Sequence, residues 1–112
     1  MREISAGIAA TYVGTVEVIF HTGYPATVNS PEQTEFAADV ARAVSGDCQD
    51  ADITMGGEDF SYMLEKRPGA YILVCNGDTA DVHHPKYNFS DETIPAGCSY
   101  WAEIVERRMP AA

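Results

Sequence analysis

Residues 70–75, Ala-Tyr-Ile-Leu-Val-Cys, are an unbroken apolar run with Arg67-Pro68-Gly69 before it and Asn76-Gly77-Asp78 after it. Turn formers at both ends leave too few residues for a stable helix. Apolar side chains at consecutive rather than alternate positions predict a strand buried on both faces. Such a strand needs sheet neighbours at its edges and helices above and below. The run therefore sets the expected class: α/β, with mostly parallel pairing in the sheet.

The rest of the chain supplies helices for that class. Ile4, Ile8 and Tyr12 fall at helical spacing, with Gly14 as the stop. Val16, Val18 and Phe20 then alternate with Glu17, Ile19 and His21, which predicts a strand with few neighbours in sight. A connector with Gly23 and Pro25 is the best domain boundary. Residues 30–46 read as the clearest helix. Ser30 is its predicted N-cap, Pro31 takes the first helical position, Gln33 is set to complete a capping box, and Gly46 ends it. Phe36, Val40 and Val44 form its apolar stripe. Ala51, Ile53 and Met55 predict a short strand that breaks at Gly56-Gly57, before a helix carrying Phe60, Met63 and Leu64. The last helix, from Ile94, is expected to bury Ile94, Cys98, Trp101 and Val105, with Arg107 and Arg108 suiting its C-terminal dipole.

Composition narrows the partners. At 112 residues with 46% hydrophobic residues, a self-contained domain would bury about 65% of its unfolded surface. Seventeen acidic residues against seven basic ones give a net charge of −10. That charge repels phosphate backbones and anionic lipid, so neither nucleic acid nor a membrane surface is an expected partner. No apolar run approaches the roughly 20 residues of a bilayer span. The start, Met1-Arg2-Glu3-Ile4, carries charge at once and has no continuous apolar core behind it, unlike a secretory signal, so the expected location is cytoplasmic. Cys48, Cys75 and Cys98 are odd in number and lack close spacing, which reads as free thiols.

Two loops have the position, after strand C-termini, where α/β sheets place their sites. In the first, Gly56-Gly57 allows a sharp turn or close approach to a ligand, and Glu58 and Asp59 follow in the first turn of a helix. Acids there either complement the helix dipole or face a ligand. In the second, His83 and His84 stand before Pro85, which disfavours helical backbone at His84 and predicts an extended segment with the two rings facing opposite ways. Zinc requires three or four protein ligands, whereas the chain offers His21, His83, His84 and loosely placed carboxylates and thiols. Asp78 and Asp81 are placed either to orient an imidazole or simply to solvate the loop. No GxSxG elbow, phosphate-binding loop or HExxH helix occurs.

Taken together, Tyr24–Asn29 (YPATVN), Met55–Asp78 (MGGEDFSYMLEKRPGAYILVCNGD), Val82–Phe89 (VHHPKYNF) and Asp91–Glu106 (DETIPAGCSYWAEIVE) fall in an order that resembles the C-terminal end of the zinc aminoacylase/carboxypeptidase superfamily. The likeness is to its hippurate hydrolase, N-acyl-amino-acid amidohydrolase and auxin-conjugate hydrolase branch. It implies an α/β metallopeptidase-type catalytic domain, with residues 1–23 as the last helix and strand of a lid or dimerisation domain and 24–112 as the C-terminal catalytic segment. It further implies His83 as a metal ligand, His84 in a variable slot, and Gly57 and Glu58 on the wall of the substrate pocket. Cys75 stands where relatives often carry glycine. In that family two divalent ions (zinc, manganese or cobalt) polarise the amide carbonyl and acidify a water, which a glutamate deprotonates. The implied substrate is a small N-acyl-amino acid, the products a carboxylic acid and an amino acid, and the implied assembly a homodimer or other self-association. The family's other ligand motifs and its Glu-Glu pair are absent here, and Glu58 does not match that pair. The resemblance therefore implies a fragment inactive on its own. Two alternatives stay open: a free-standing, non-catalytic binding or assembly module, and a small acidic metal-binding protein using His83, His84 and nearby carboxylates.

Overall fold

A computed structural model describes residues 1–109 as four helices joined by long extended segments. The helices are α1 (Arg2–Thr11), α2 (Pro31–Ser45), α3 (Phe60–Leu64) and α4 (Thr93–Arg108). Among the described residues there is no β-strand. The runs expected to be strands, 16–20, 51–55 and 70–75, are extended but unpaired. The physical reason is the want of neighbours: an isolated strand leaves backbone donors and acceptors to water and gains no ladder. Exposure follows. Leu73 is 67% exposed and its neighbour Val74 58%, so the run read as buried on both faces is open on both, and Ile53 and Met55 in the 51–55 run are more exposed still.

The core is accordingly small. α2 and α4 are the one pair of helices in substantial contact among the described residues, and Ala37, Val40 and Tyr100 are the buried apolar residues between and beside them. The radius of gyration is 21.1 Å, against about 13 Å for a compact domain of this length. The burial expected of a self-contained domain is not reached.

α2 follows its sequence signals at both ends, with one exception. Pro31 stands at the first helical position, and Gly46 closes the helix in the left-handed conformation, φ 80°. The capping box does not form. The Ser30 backbone N–H, which Gln33 would have capped, donates instead to the Gly69 carbonyl at 2.9 Å. Gln33 turns away to accept from Arg108 Nη2 at 2.7 Å, and the Arg108 guanidinium lies 4.0 Å from the centre of the Phe36 ring. Tertiary contacts thus take up one half of the box, while the buried Ser30 Oγ makes no hydrogen bond among the described residues.

α4 also differs from expectation. Ile94, Cys98, Trp101 and Val105 are exposed, and the face that meets α2 is centred on Tyr100, with Ile104 half-buried. The helix carries two apolar stripes side by side. The longer one is the stripe expected to be buried, and α2 covers its neighbour. Burial, and secondarily Cys48, pushes the Tyr100 phenol up from its ordinary value. At its end Arg107 pairs with Glu103 at 2.7 Å, one turn back. No helix among the described residues is long and apolar enough to cross a membrane.

Candidate functional site

Two asparagine side chains take over what sheet neighbours would do for the 70–75 run. The Asn29 amide donates from Nδ2 to the Tyr71 carbonyl (2.9 Å) and accepts from the Tyr71 N–H through Oδ1 (2.7 Å), imitating the paired bonds of an adjoining strand. At the far end, Asn76 donates to the Asn88 carbonyl (2.7 Å) and accepts from the Ser90 N–H (2.8 Å). These clamps tie the run to the start of α2 and to the segment leading into α4.

The diglycine loop is gripped by aromatic rings. A Cβ at Gly57 would lie 2.9 Å from Tyr24 Cδ2, so any side chain there would have to push that ring aside. The Tyr24 ring in turn meets Tyr62 edge-on, with centroids 5.9 Å apart. Beyond the bend, Glu58 Oε1 accepts from the Phe60 N–H (3.1 Å) and Oε2 from the Tyr71 hydroxyl (2.9 Å). The Glu58 carbonyl accepts from the fully buried Ser61 hydroxyl at 2.6 Å. The Phe60 bond chiefly, and the Tyr71 bond next, hold the Glu58 carboxyl below its ordinary range, and the shared bond pushes the Tyr71 phenol up. A tilted contact between the Phe60 and Tyr71 rings, centroids 5.5 Å apart and planes at 41°, completes the frame.

The histidine loop is built differently. The His84 N–H donates to the Asp81 carbonyl (3.1 Å) and the Tyr87 N–H to the His84 carbonyl (2.9 Å), making two successive turns that share His84. The extended geometry expected from Pro85 is therefore not what His83 adopts. It occupies the third position of the first turn with φ 68°, the left-handed region. That conformation costs a non-glycine residue about 1–2 kcal/mol, and such strain concentrates at functional positions. Pro85 instead fills the second position of the second turn, where its fixed φ fits. The His84 Nδ1 accepts from the Lys86 N–H at 3.1 Å, so that ring is occupied in holding the turn and its neutral form carries the proton on Nε2. The His83 ring makes no hydrogen bond among the described residues.

The structure brings Gly57 and Glu58 together in one loop, and no hydrogen bond or ion pair among the described residues joins them to His83. Nor do three or more His, Cys, Asp or Glu side chains gather into a group able to hold a metal ion among those residues. These residues by themselves therefore do not fit a divalent-ion centre. Sequence reasoning missed Tyr24, Asn29 and Tyr71. One signal was present: a tyrosine in a run otherwise free of polar side-chain groups needs a partner for its hydroxyl.

Residues 3–107 match the peptidase family M20/M25/M40. The chain belongs to that family. Among its relatives, an N-acetylcysteine deacetylase of Bacillus subtilis is 29% identical over 104 residues, covering 93% of this chain and 27% of that protein. An N-acetyldiaminopimelate deacetylase of Enterococcus faecalis is 32% identical over 99 residues, 87% of this chain and 26% of the relative. A hippurate hydrolase of Campylobacter jejuni is 28% identical over 105 residues, 91% and 27% respectively. The chain thus spans about a quarter of the length of the curated relatives it matches. No solved structure was found to match it.

Proposed function

We propose that this chain forms part of a metal-dependent amidohydrolase that cleaves N-acyl-amino acids, hippurate-like amides among them, into a carboxylic acid and an amino acid. The family match over residues 3–107 carries the reading. In this account residues 1–23 end a lid or dimerisation domain of a homodimer, and 24–112 are the C-terminal segment of the α/β catalytic domain. The 70–75 run becomes a strand when it pairs with strands outside this sequence. The exposed apolar edge of the run and the small α2–α4 core support that placement.

Within the site, His83 supplies one ligand to a pair of divalent ions (zinc, manganese or cobalt), the remaining ligands lying outside these residues. Its strained backbone and its ring free of hydrogen bonds among the described residues support this role, since His84 is engaged in the turn. Gly57 and Glu58 wall the substrate pocket. Glu58, with both oxygens engaged and its carboxyl held ionised, is an acceptor wall and a poor base.

The test is hydrolysis of N-acetyl- and N-benzoyl-amino acids by the protein carrying this sequence, before and after chelation and metal return. His83→Ala should lower kcat/KM by about 100-fold or more and reduce bound metal. The 112-residue chain alone should release no amino acid. Undiminished hydrolysis and metal content in His83→Ala would overturn the assignment.

A further inference from the structure

The grip on Glu58 comes from a residue outside its loop. Phe60 fixes one carboxylate oxygen from within the first turn of α3, a bond local to the sequence. Tyr71 fixes the other from thirteen residues away, and the Tyr71 backbone is itself pinned by both atoms of the Asn29 amide. A side chain held at two oxygens by two separate elements keeps a single rotamer. A phenylalanine would fill the same space and meet Phe60 as well, so what the tyrosine adds is the hydroxyl.

We propose that Tyr71 is a positioning residue for substrate selection: its hydroxyl locks the Glu58 carboxylate in place beside the diglycine bend, where this fixed negative charge disfavours substrates with a second anionic group. The proposal rests on the reading that Gly57 and Glu58 wall the substrate pocket. It commits the site to N-acyl-amino acids whose acyl group is neutral or cationic, such as acetyl, over those with a terminal carboxylate, such as succinyl. A charge held in one rotamer discriminates more sharply than one free to swing into water, because its distance from the substrate is set.

Two measurements test it together: kcat/KM for an N-acetyl- and an N-succinyl-amino acid, and the titration of the Glu58 carboxyl followed by carbon NMR. Each is made on wild type, Tyr71→Phe and Glu58→Gln. Tyr71→Phe should raise the succinyl-to-acetyl ratio of kcat/KM about threefold, with kcat for the N-acetyl substrate within about twofold, and should move the Glu58 titration to higher pH. Glu58→Gln should raise the succinyl-to-acetyl ratio of kcat/KM about tenfold, as expected from losing one charge held at a set distance from the substrate. A Glu58 titration identical in wild type and Tyr71→Phe overturns the positioning role whatever the activity. An unchanged substrate ratio in Glu58→Gln overturns the selection. Should Tyr71→Phe lose its helical circular dichroism, the Tyr71 phenol in Glu58→Gln decides the matter: a fall toward its ordinary value supports the bond, and no movement overturns it. A wild-type protein that hydrolyses neither substrate while Glu58 titrates as described removes the proposed function and the selection, leaving the Tyr71–Glu58 bond standing.

Discussion

The diglycine bend at 55–59 and the histidine turns at 81–87 both carry candidate site residues, yet the first is held from outside and the second mostly from within. Tyr24 covers Gly57, and Tyr71, pinned by Asn29, ties down Glu58. These partners come from segments far apart in sequence. The turns around His83 close on their own backbone, through bonds between Asp81, His84 and Tyr87 and through the His84 ring. A loop of the first kind moves when a remote residue changes. A loop of the second kind survives such changes, but it stores its strain at one position, His83.

That contrast can be broken most forcefully at Asn29. Asn29→Ala removes both bonds to the Tyr71 backbone and should destabilise the diglycine frame by about 1–3 kcal/mol. Hydrogen exchange should show the Tyr71 amide opening faster while the Tyr87 amide in the histidine turns is unchanged. Equal loss at both sites would mean the loops are not held separately.

Next in size is Gly57→Ala. Its added methyl meets Tyr24 at 2.9 Å and should cost about 1–2 kcal/mol, seen in urea unfolding. Adding Tyr24→Ala should remove the clash, so the double mutant should lose less than the sum of the singles. Simple additivity would show that the ring and the bend do not touch.

The histidine turns offer the opposite effect. His83→Gly relieves the left-handed backbone and should leave the chain as stable or better by at most about 1 kcal/mol, although the proposed metal ligand is gone. A clear loss of stability would mean that the His83 ring holds the fold.

The smallest effect concerns pH. Glu58 has a folded-state value depressed below its ordinary 4.5, so its stabilising contribution is present above that value and fades as pH falls through the depressed one. Unfolding followed on the acid side should show this decline in wild type and lose the Glu58 component in Glu58→Gln. A stability–pH curve the same for both would remove the role given to these bonds.

Much of the helical framework was legible because helix signals are local. Pro31 at the start and Gly46 at the end of α2 act through backbone geometry within one turn, and both fell where expected. The capping box failed for a non-local reason: Gly69 and Arg108 reached the groups that Ser30 and Gln33 would have shared. The buried stripe of α4 was likewise misread, because its two apolar stripes satisfy the same periodicity and only the position of α2 chooses between them. At the candidate site, the diglycine and the paired histidines stood out by residue type. Asn29 and Tyr71 did not, since an amide before a helix and a phenol in an apolar run take their meaning from each other across 42 residues.

By itself the sequence determined the family, through the ordered motifs of residues 3–107, and the places where helices start and stop, because both depend on neighbouring residues. The tertiary structure decided which face of α4 is covered, that a Cβ at Gly57 would meet the Tyr24 ring, and that one histidine of the pair keeps its turn while the other stays free of hydrogen bonds among the described residues. It also decided that an apolar run built for a sheet lies extended beside asparagine clamps. Strand formation depends on hydrogen-bonding partners from other segments, and no propensity within six residues can supply them.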